Sequence, residues 1–184
     1  GSSNGVDLVR FHPPSEEERQ AARAALDLDP GQTAIVFVGR LHPDKGLDLL
    51  AESLKEMMCR ESVALIVAGS AEGVSLRHLE IPGLRLFALG HVDGIQRVLH
   101  AADLLVLPTQ REGFPNVVLE AAATGLPVIT TNATGAVDSV IDGLTGCVVP
   151  KDDPHAMATA LDRLVTDPAL RKRMGTEARL LVER

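Results

Sequence analysis

The sequence has no tryptophan and no tyrosine, and only four phenylalanines, Phe11, Phe37, Phe87 and Phe114. A protein that grips single-stranded nucleic acid by stacking bases on aromatic rings needs more rings than that. The net charge of −7 points the same way, because phosphate backbones select basic surfaces. No nucleic-acid partner is expected. Cysteine is scarce too. Cys59, on a predicted helix, and Cys147, in a predicted strand, read as two small buried thiols of a reducing compartment rather than as a disulfide. The longest apolar runs, such as Ala34–Gly39 and Leu104–Leu107, are too short to cross a bilayer. The opening Gly1-Ser2-Ser3-Asn4-Gly5 lacks the charged and apolar regions of a secretory signal. A cytoplasmic location is expected, compatible with a full-length enzyme peripheral on the inner face of the membrane.

Several chemical signatures are also missing. No Gly-x-Gly-x-x-Gly follows the first apolar strand, which disfavours a nicotinamide dinucleotide, and there is no Walker lysine loop. No serine nucleophile elbow is present. The histidines at positions 12, 42, 78, 91, 100 and 155 show no ligand spacing, so no metal site is expected. Asp27-Leu28-Asp29 mimics a metal-binding Asp-x-Asp but precedes the first strand, and reads as a helix end and turn.

What remains is an alternation. At 184 residues the chain suits one domain that buries roughly 70% of its unfolded surface. Continuous apolar strands are predicted at Ala34–Gly39, Val63–Gly69, Leu84–Gly90, Asp103–Leu107, Val128–Thr131 and Gly146–Val149. Helices are predicted at Gly46–Cys59, Ile95–Ala102, Pro115–Thr124, Ala136–Ile141, Pro154–Thr166 and Pro168–Leu181. Unbroken apolar strands between helices mean a parallel sheet covered on both faces. The expected fold is therefore α/β: a doubly wound, Rossmann-like sheet of six parallel strands. Such sheets bind ligands beyond the carboxyl ends of their strands. The residues following each strand become the candidates: Gly39-Arg40, Gly69-Ser70, Gly90-His91, Pro108–Gly113 and Thr131–Gly135.

Glu112 and Glu120 bracket a Gly113-Phe114-Pro115 turn and the start of an alanine-rich helix. Pro115 suits the first helical position, and the amides of Asn116, Val117 and Val118 then face the loop with the positive end of the helix dipole. The spacing of the two glutamates alone fits equally a solvated helix-start charge and a surface glutamate. Arg40 ends a strand and Lys45 starts the next helix, where the dipole disfavours a cation, so Lys45 needs another partner. Two such charges suit a diphosphate whose leaving-group charge must be stabilised. A surface salt bridge to Asp44 or Asp48 is the plain alternative. Thr131–Ala136 reads either as backbone that approaches a ligand or as a turn and N-cap. His91 either faces the ligand or is solvated, and Arg171-Lys172-Arg173 reads as a solvated helix face.

Taken together, these residues resemble the C-terminal, donor-binding half of a GT-B glycosyltransferase of the large retaining family 4. The similarity runs along nearly the whole chain. It rests on Asn4-Gly5-Val6-Asp7 with Phe11-x-Pro13, Val38-Gly39-Arg40-Leu41 with Lys45-Gly46, and Asp103–Pro108. It continues through Glu112 with Glu120, Gly125-Leu126-Pro127-Val128-Ile129 and Gly143-x-Thr145-Gly146. The resemblance implies that Arg40 and Lys45 grip the donor diphosphate, that Glu112 holds hydroxyls of the transferred hexose, and that Glu120 binds both ribose hydroxyls. Gly90, His91 and Val92 would recognise the base, with Gly39, Gly113, Phe114, Asn116 and Val117 completing the donor site. It implies a metal-independent reaction with no cofactor, by front-face attack within an ion pair.

Pro115 stands where many relatives carry glycine and cannot donate a hydrogen bond, which leaves the Asn116 and Val117 amides to do so. The Phe114-Pro115-Asn116 variant and the Thr131–Ala136 loop resemble bacterial transferases that build surface glycans from UDP-linked hexoses or N-acetylhexosamines. The partners implied are a nucleotide-sugar donor, an N-terminal domain of the same enzyme and a glycan or lipid-linked acceptor. A chain of this extent reads as half an enzyme, expected to bind donor weakly and to transfer nothing alone. A UDP-N-acetylhexosamine epimerase on the same half-fold and a non-catalytic nucleotide-sugar module are the competing readings.

Overall fold

The computed structural model describes residues 5–184; Asn4, first residue of the entry motif, lies outside them. Six strands form one sheet in the order β3-β2-β1-β4-β5-β6, with every pair parallel. They are β1 (Thr33–Val38), β2 (Val63–Ala68), β3 (Arg85–Gly90), β4 (Leu104–Leu107), β5 (Val128–Thr131) and β6 (Gly146–Val149). The helices are α1 (Glu16–Ala25), α2 (Leu47–Glu56), α3 (Ile95–Ala101), α4 (Asn116–Ala123), α5 (Pro154–Thr166) and α6 (Pro168–Glu183).

Strand alternation sorts the apolar residues into two cores. Ile35 and Phe37 of β1, Leu65 and Val67 of β2 and Val106 of β4 face α2, α5 and the start of α6. Ala34, Val36, Ala64, Ile66, Leu105 and Leu107 face α3, α4 and the end of α6. A sheet buried on both sides explains why the strands read as continuous apolar runs. The chain winds outward from β1 to β3, then returns to the centre and winds outward again from β4 to β6. The reversal falls between β1 and β4, and open α/β sheets bind their ligands beyond the strand ends at such a point.

The structure departs from the sequence expectations at definite places. Helix α1 was anticipated only at its end, where Asp27-Leu28-Asp29 read as a helix end and turn; its span was not, because it buries no residue and offers little apolar periodicity. Its signal was the capping box: the Ser15 hydroxyl accepts from the Glu18 amide while the Glu18 carboxylate accepts from the Ser15 amide. The expected helix over Ala136–Ile141 is only a 3-10 turn, Val137–Ser139. Helix α2 ends at Glu56, which places Cys59 beyond it; that thiol is half-buried and donates to the Asp162 carboxylate. Cys147 is buried, and both cysteines are free. Pro115 is not the first helical residue but the N-cap, with extended backbone. Arg171 is not merely solvated: its guanidinium donates to the Leu164 and Val165 carbonyls and so closes the end of α5.

The amino edge of the sheet is locked by charge. Asp103, just before β4, accepts from Arg19 at 2.6 Å, from Arg23 at 3.4 Å and from the Ala34 amide at 2.7 Å. Arg23 also donates to the carbonyls of Ala101, Asp29 and Gln32. This network supplements the few apolar contacts of α1, where Ala22 packs against the second core.

Candidate functional site

At the carboxyl edge, where β1 and β4 diverge, two hollows share Arg40. One, of about 230 Å³, is lined by Gly39, Arg40, His91, Val92 and Glu120 among others. The second, of about 340 Å³, is lined by Arg40, Lys45, Arg111, Glu112 and Gly113 with neighbouring turn residues. The arrangement suits an elongated, anionic, polyhydroxylated ligand with its negative centre at Arg40.

Local backbone features position the second hollow. Lys45 ends a 3-10 turn, Pro43–Lys45, that the His42 ring caps by accepting from the Asp44 amide. Gly46 follows with φ +76°, and a Cβ there would lie 1.8 Å from the Pro108 carbonyl oxygen, so only glycine lets this turn rest on the end of β4. The Asp44 carbonyl accepts from the Gln110 amide at 2.8 Å and from the Thr109 hydroxyl at 3.0 Å. The cation-bearing turn and the Glu112 loop are thereby bound together. Lys45 Nζ donates to Glu112 Oε1 at 2.5 Å, and the two side chains are 20% and 10% exposed. The partner that the helix dipole demanded for Lys45 is Glu112, neither Asp44 nor Asp48. Arg40 makes one long contact, 3.6 Å to Glu72, with both side chains largely in solvent. Its guanidinium is free to turn.

The Thr131–Ala136 loop is a brace. The Thr131 hydroxyl donates to the Thr109 carbonyl at 2.6 Å, and the Glu112 amide donates to the Thr134 carbonyl at 3.2 Å. Gly135, at φ +84°, comes so close that a Cβ would stand 2.2 Å from the Glu112 carbonyl oxygen. Its close backbone approach is therefore to the Glu112 loop.

Glu120 differs from Glu112. It sits on α4, half-buried, and its carboxylate has no hydrogen-bond or ion-pair partner among the described residues. Burial pushes its pKa up, opposed only by the charge of Arg10. A desolvated acceptor without donors is poised for ligand hydroxyl groups. At the head of α4 the Asn116 and Val117 amides also have no acceptor among the described residues, and no side chain caps them. The Val118 amide is not available, since it donates to the Pro115 carbonyl at 3.0 Å.

Other expected site residues are placed differently. Gly90 ends β3 with its carbonyl accepting from the Gly69 amide at 2.8 Å. His91 is exposed, 3.2 Å from Asp93, at the rim of the smaller hollow. Phe114 is 59% exposed and lines neither hollow; it borders an apolar recess with Val118, Leu119 and Ala122. Thr109 and Arg111 fall inside the Pro108–Gly113 stretch singled out in the sequence, without individual roles: Thr109 braces the loop and Arg111 lines the larger hollow. One contributor escaped the sequence reading, Arg10, which supplies the charge near Glu120. Arg10 lies inside the Asp7–Phe11 stretch already singled out, but nothing in the sequence aims it at Glu120.

Comparison with known proteins bears on the fold and the family. Residues 32–167 match the family described as glycosyl transferases group 1. The capsular polysaccharide biosynthesis glycosyltransferase CapM of Staphylococcus aureus is 35% identical over 100% of this chain and 49% of its own length. The chain thus spans about half the length of this curated relative. A solved structure of the C-terminal domain of a glycosyl transferase group 1 family protein, LpcC of Francisella tularensis, covers 97% of this chain and 96% of its own, with 26% identity and a TM-score of 0.82. HepE of Anabaena, solved with UDP and glucose, superimposes over 97% of this chain and 50% of its own at a TM-score of 0.84 and 21% identity, which is a likeness of fold.

Proposed function

The chain belongs to the glycosyl transferases group 1 family, and from that premise we propose that it is the donor-binding half of a retaining transferase. The enzyme moves a hexose or N-acetylhexosamine from a UDP-linked donor to a glycan or lipid-linked acceptor in the cytoplasm, and the acceptor is bound by a separate N-terminal domain. HepE, a neighbour in fold, was solved with UDP and glucose, and CapM serves capsular polysaccharide synthesis; both support this choice of donor and acceptor.

The observation that carries the reading is that Arg40 lines two hollows, each of which also holds a glutamate, Glu120 in one and Glu112 in the other. The ribose lies against Glu120, whose unpaired carboxylate accepts from the two hydroxyls. The diphosphate spans Arg40 and Lys45, with the Asn116 and Val117 amides completing the anion site. The sugar occupies the hollow of Glu112 and Gly113. When the glycosidic bond breaks, the electron pair leaves with the diphosphate oxygen. Arg40 and Lys45 stabilise that charge, so the donor site itself requires no metal.

Lys45 must exchange Glu112 for phosphate as donor enters, which frees the Glu112 carboxylate for sugar hydroxyls. The resting ion pair keeps both groups compensated until then. Glu112 and Glu120 line separate hollows, a poor arrangement for the paired proton transfers at one carbon that an epimerase performs.

Calorimetry with UDP, GDP and ADP tests the site. UDP is expected to bind best, and Glu120→Gln and Arg40→Ala should each weaken it about 10- to 100-fold, the worth of a charge-assisted hydrogen bond of roughly 1.5–3 kcal/mol. Affinity indifferent to both substitutions would sink the assignment. Product analysis with the full-length enzyme separates transfer from epimerisation.

A further inference from the structure

Three ligand-bearing side chains that the donor site does not use converge beside α1. His12 comes from the entry segment, Glu18 from the first turn of α1 and His100 from the last turn of α3. Each offers one ligand atom within 4.8 Å of the others. Nε2 of His12 lies 3.6 Å from Oε2 of Glu18, and Nδ1 of His100 lies 4.0 Å from that same oxygen. The histidine positions in the sequence carried no ligand spacing and predicted no metal site. Ligand sets are assembled in space, however, and these two imidazoles lie side by side with ring centroids 5.1 Å apart.

The surroundings prepare each group for a cation. His12 Nδ1 stands 2.9 Å from the Pro13 carbonyl, a contact that puts the ring proton on Nδ1 and leaves the Nε2 lone pair towards Glu18. Glu18 spends Oε1 on the Ser15 amide in the capping box, which fixes its orientation and turns Oε2 to the histidines. His100 is only 6% exposed, and its Nε2 has no hydrogen-bond partner among the described residues. His12, Glu18 and His100 open together onto a hollow of about 520 Å³ that shares no lining residue with the two donor hollows.

We propose that His12, Glu18 and His100 bind a divalent cation of the zinc class, with water from the hollow completing its coordination. Two imidazoles and one carboxylate are ligands for Zn²⁺ rather than for Mg²⁺ or Ca²⁺, which prefer all-oxygen sites. Ligand bonds of about 2.0–2.1 Å in a tetrahedral centre put donor atoms about 3.3 Å apart. The observed separations therefore need only small side-chain rotations to close. Arg10 and Arg97 border the same hollow and oppose a cation, so the affinity is micromolar rather than tighter. A bound ion fastens the entry segment to α1 and α3. That segment also carries Arg10, which donates to Gln96 on α3.

The experiment titrates the chelator-stripped chain with Zn²⁺, with Co²⁺ as a spectroscopic substitute and Mg²⁺ as a control. One equivalent of Zn²⁺ is expected to bind at micromolar concentration, with tetrahedral Co²⁺ absorption and a melting midpoint that climbs with free Zn²⁺. Glu18→Gln keeps the capping box, because glutamine serves at that position, yet it removes the anionic ligand. It should weaken Zn²⁺ at least tenfold, as should His12→Ala. His155→Gln, which removes an exposed histidine beside Glu56, should change nothing. Binding only at millimolar Zn²⁺, or binding equal in wild type, Glu18→Gln and His12→Ala, overturns the proposal.

Discussion

The two edges of the sheet handle charge in opposite ways. At the amino edge Asp103 is surrounded: two arginines and a backbone amide donate to it, and Arg23 goes on to satisfy three carbonyls. At the carboxyl edge, among the described residues, Lys45 has only Glu112, Arg40 has one long and exposed contact, and Glu120 has no donor. A saturated network holds one geometry and leaves nothing for a ligand. An unsaturated one, beside open hollows, keeps its acceptors and cations available. Saturated and unsaturated charge are thus divided between the two ends of the same strands.

The comparison breaks most sharply at Asp103. Asp103→Ala leaves Arg23, nearly buried, without its counter-charge, and is expected to cost about 3 kcal/mol. Denaturant melts would measure this, and a loss below about 1 kcal/mol would remove the distinction between the edges. Glu112→Gln should be milder, on the order of 1 kcal/mol, because Lys45 can turn into the solvent of its hollow. Its larger consequence is functional: UDP affinity is retained while the preference for UDP-hexose over UDP disappears.

The smallest effect belongs to Glu120. Its pKa in the folded chain is raised above 4.5, so the native state holds the proton more tightly than the unfolded one. Stability is then lost as pH climbs from the unfolded value through the folded one. Melts of wild type and Glu120→Gln should coincide near pH 4 and separate, in favour of the variant, towards neutrality. A separation that widens towards acid would reverse the sign and refute the desolvated carboxylate.

Much of this was legible before the fold. The apolar runs gave all six strands within a residue or two; burial on both faces leaves little room for polar interruption in the inner strands, while β3 at the edge is only partly buried. The candidates Arg40 and Glu112 followed from the rule that parallel sheets bind beyond their carboxyl ends, whereas Lys45 was singled out by a cation at a helix start and Glu120 by the family resemblance. What stayed hidden depends on contacts remote in sequence. Helix α1 is held by Asp103, which lies far along the chain, so periodicity could not reveal it. The Lys45–Glu112 pair joins two loops that meet only because Gly46 rests on Pro108. Phe114, which the family resemblance placed in the donor site, lines another recess.

The central claim is that the carboxyl-edge charges are unsaturated because a nucleotide sugar completes them. A crystal structure of the chain soaked with a UDP-hexose tests it most directly. The account predicts both ribose hydroxyls on the Glu120 carboxylate, the diphosphate on Arg40 and Lys45, and Lys45 released from Glu112. A nucleotide bound elsewhere, or one seated there with the Lys45–Glu112 pair intact and Glu120 untouched, would contradict it.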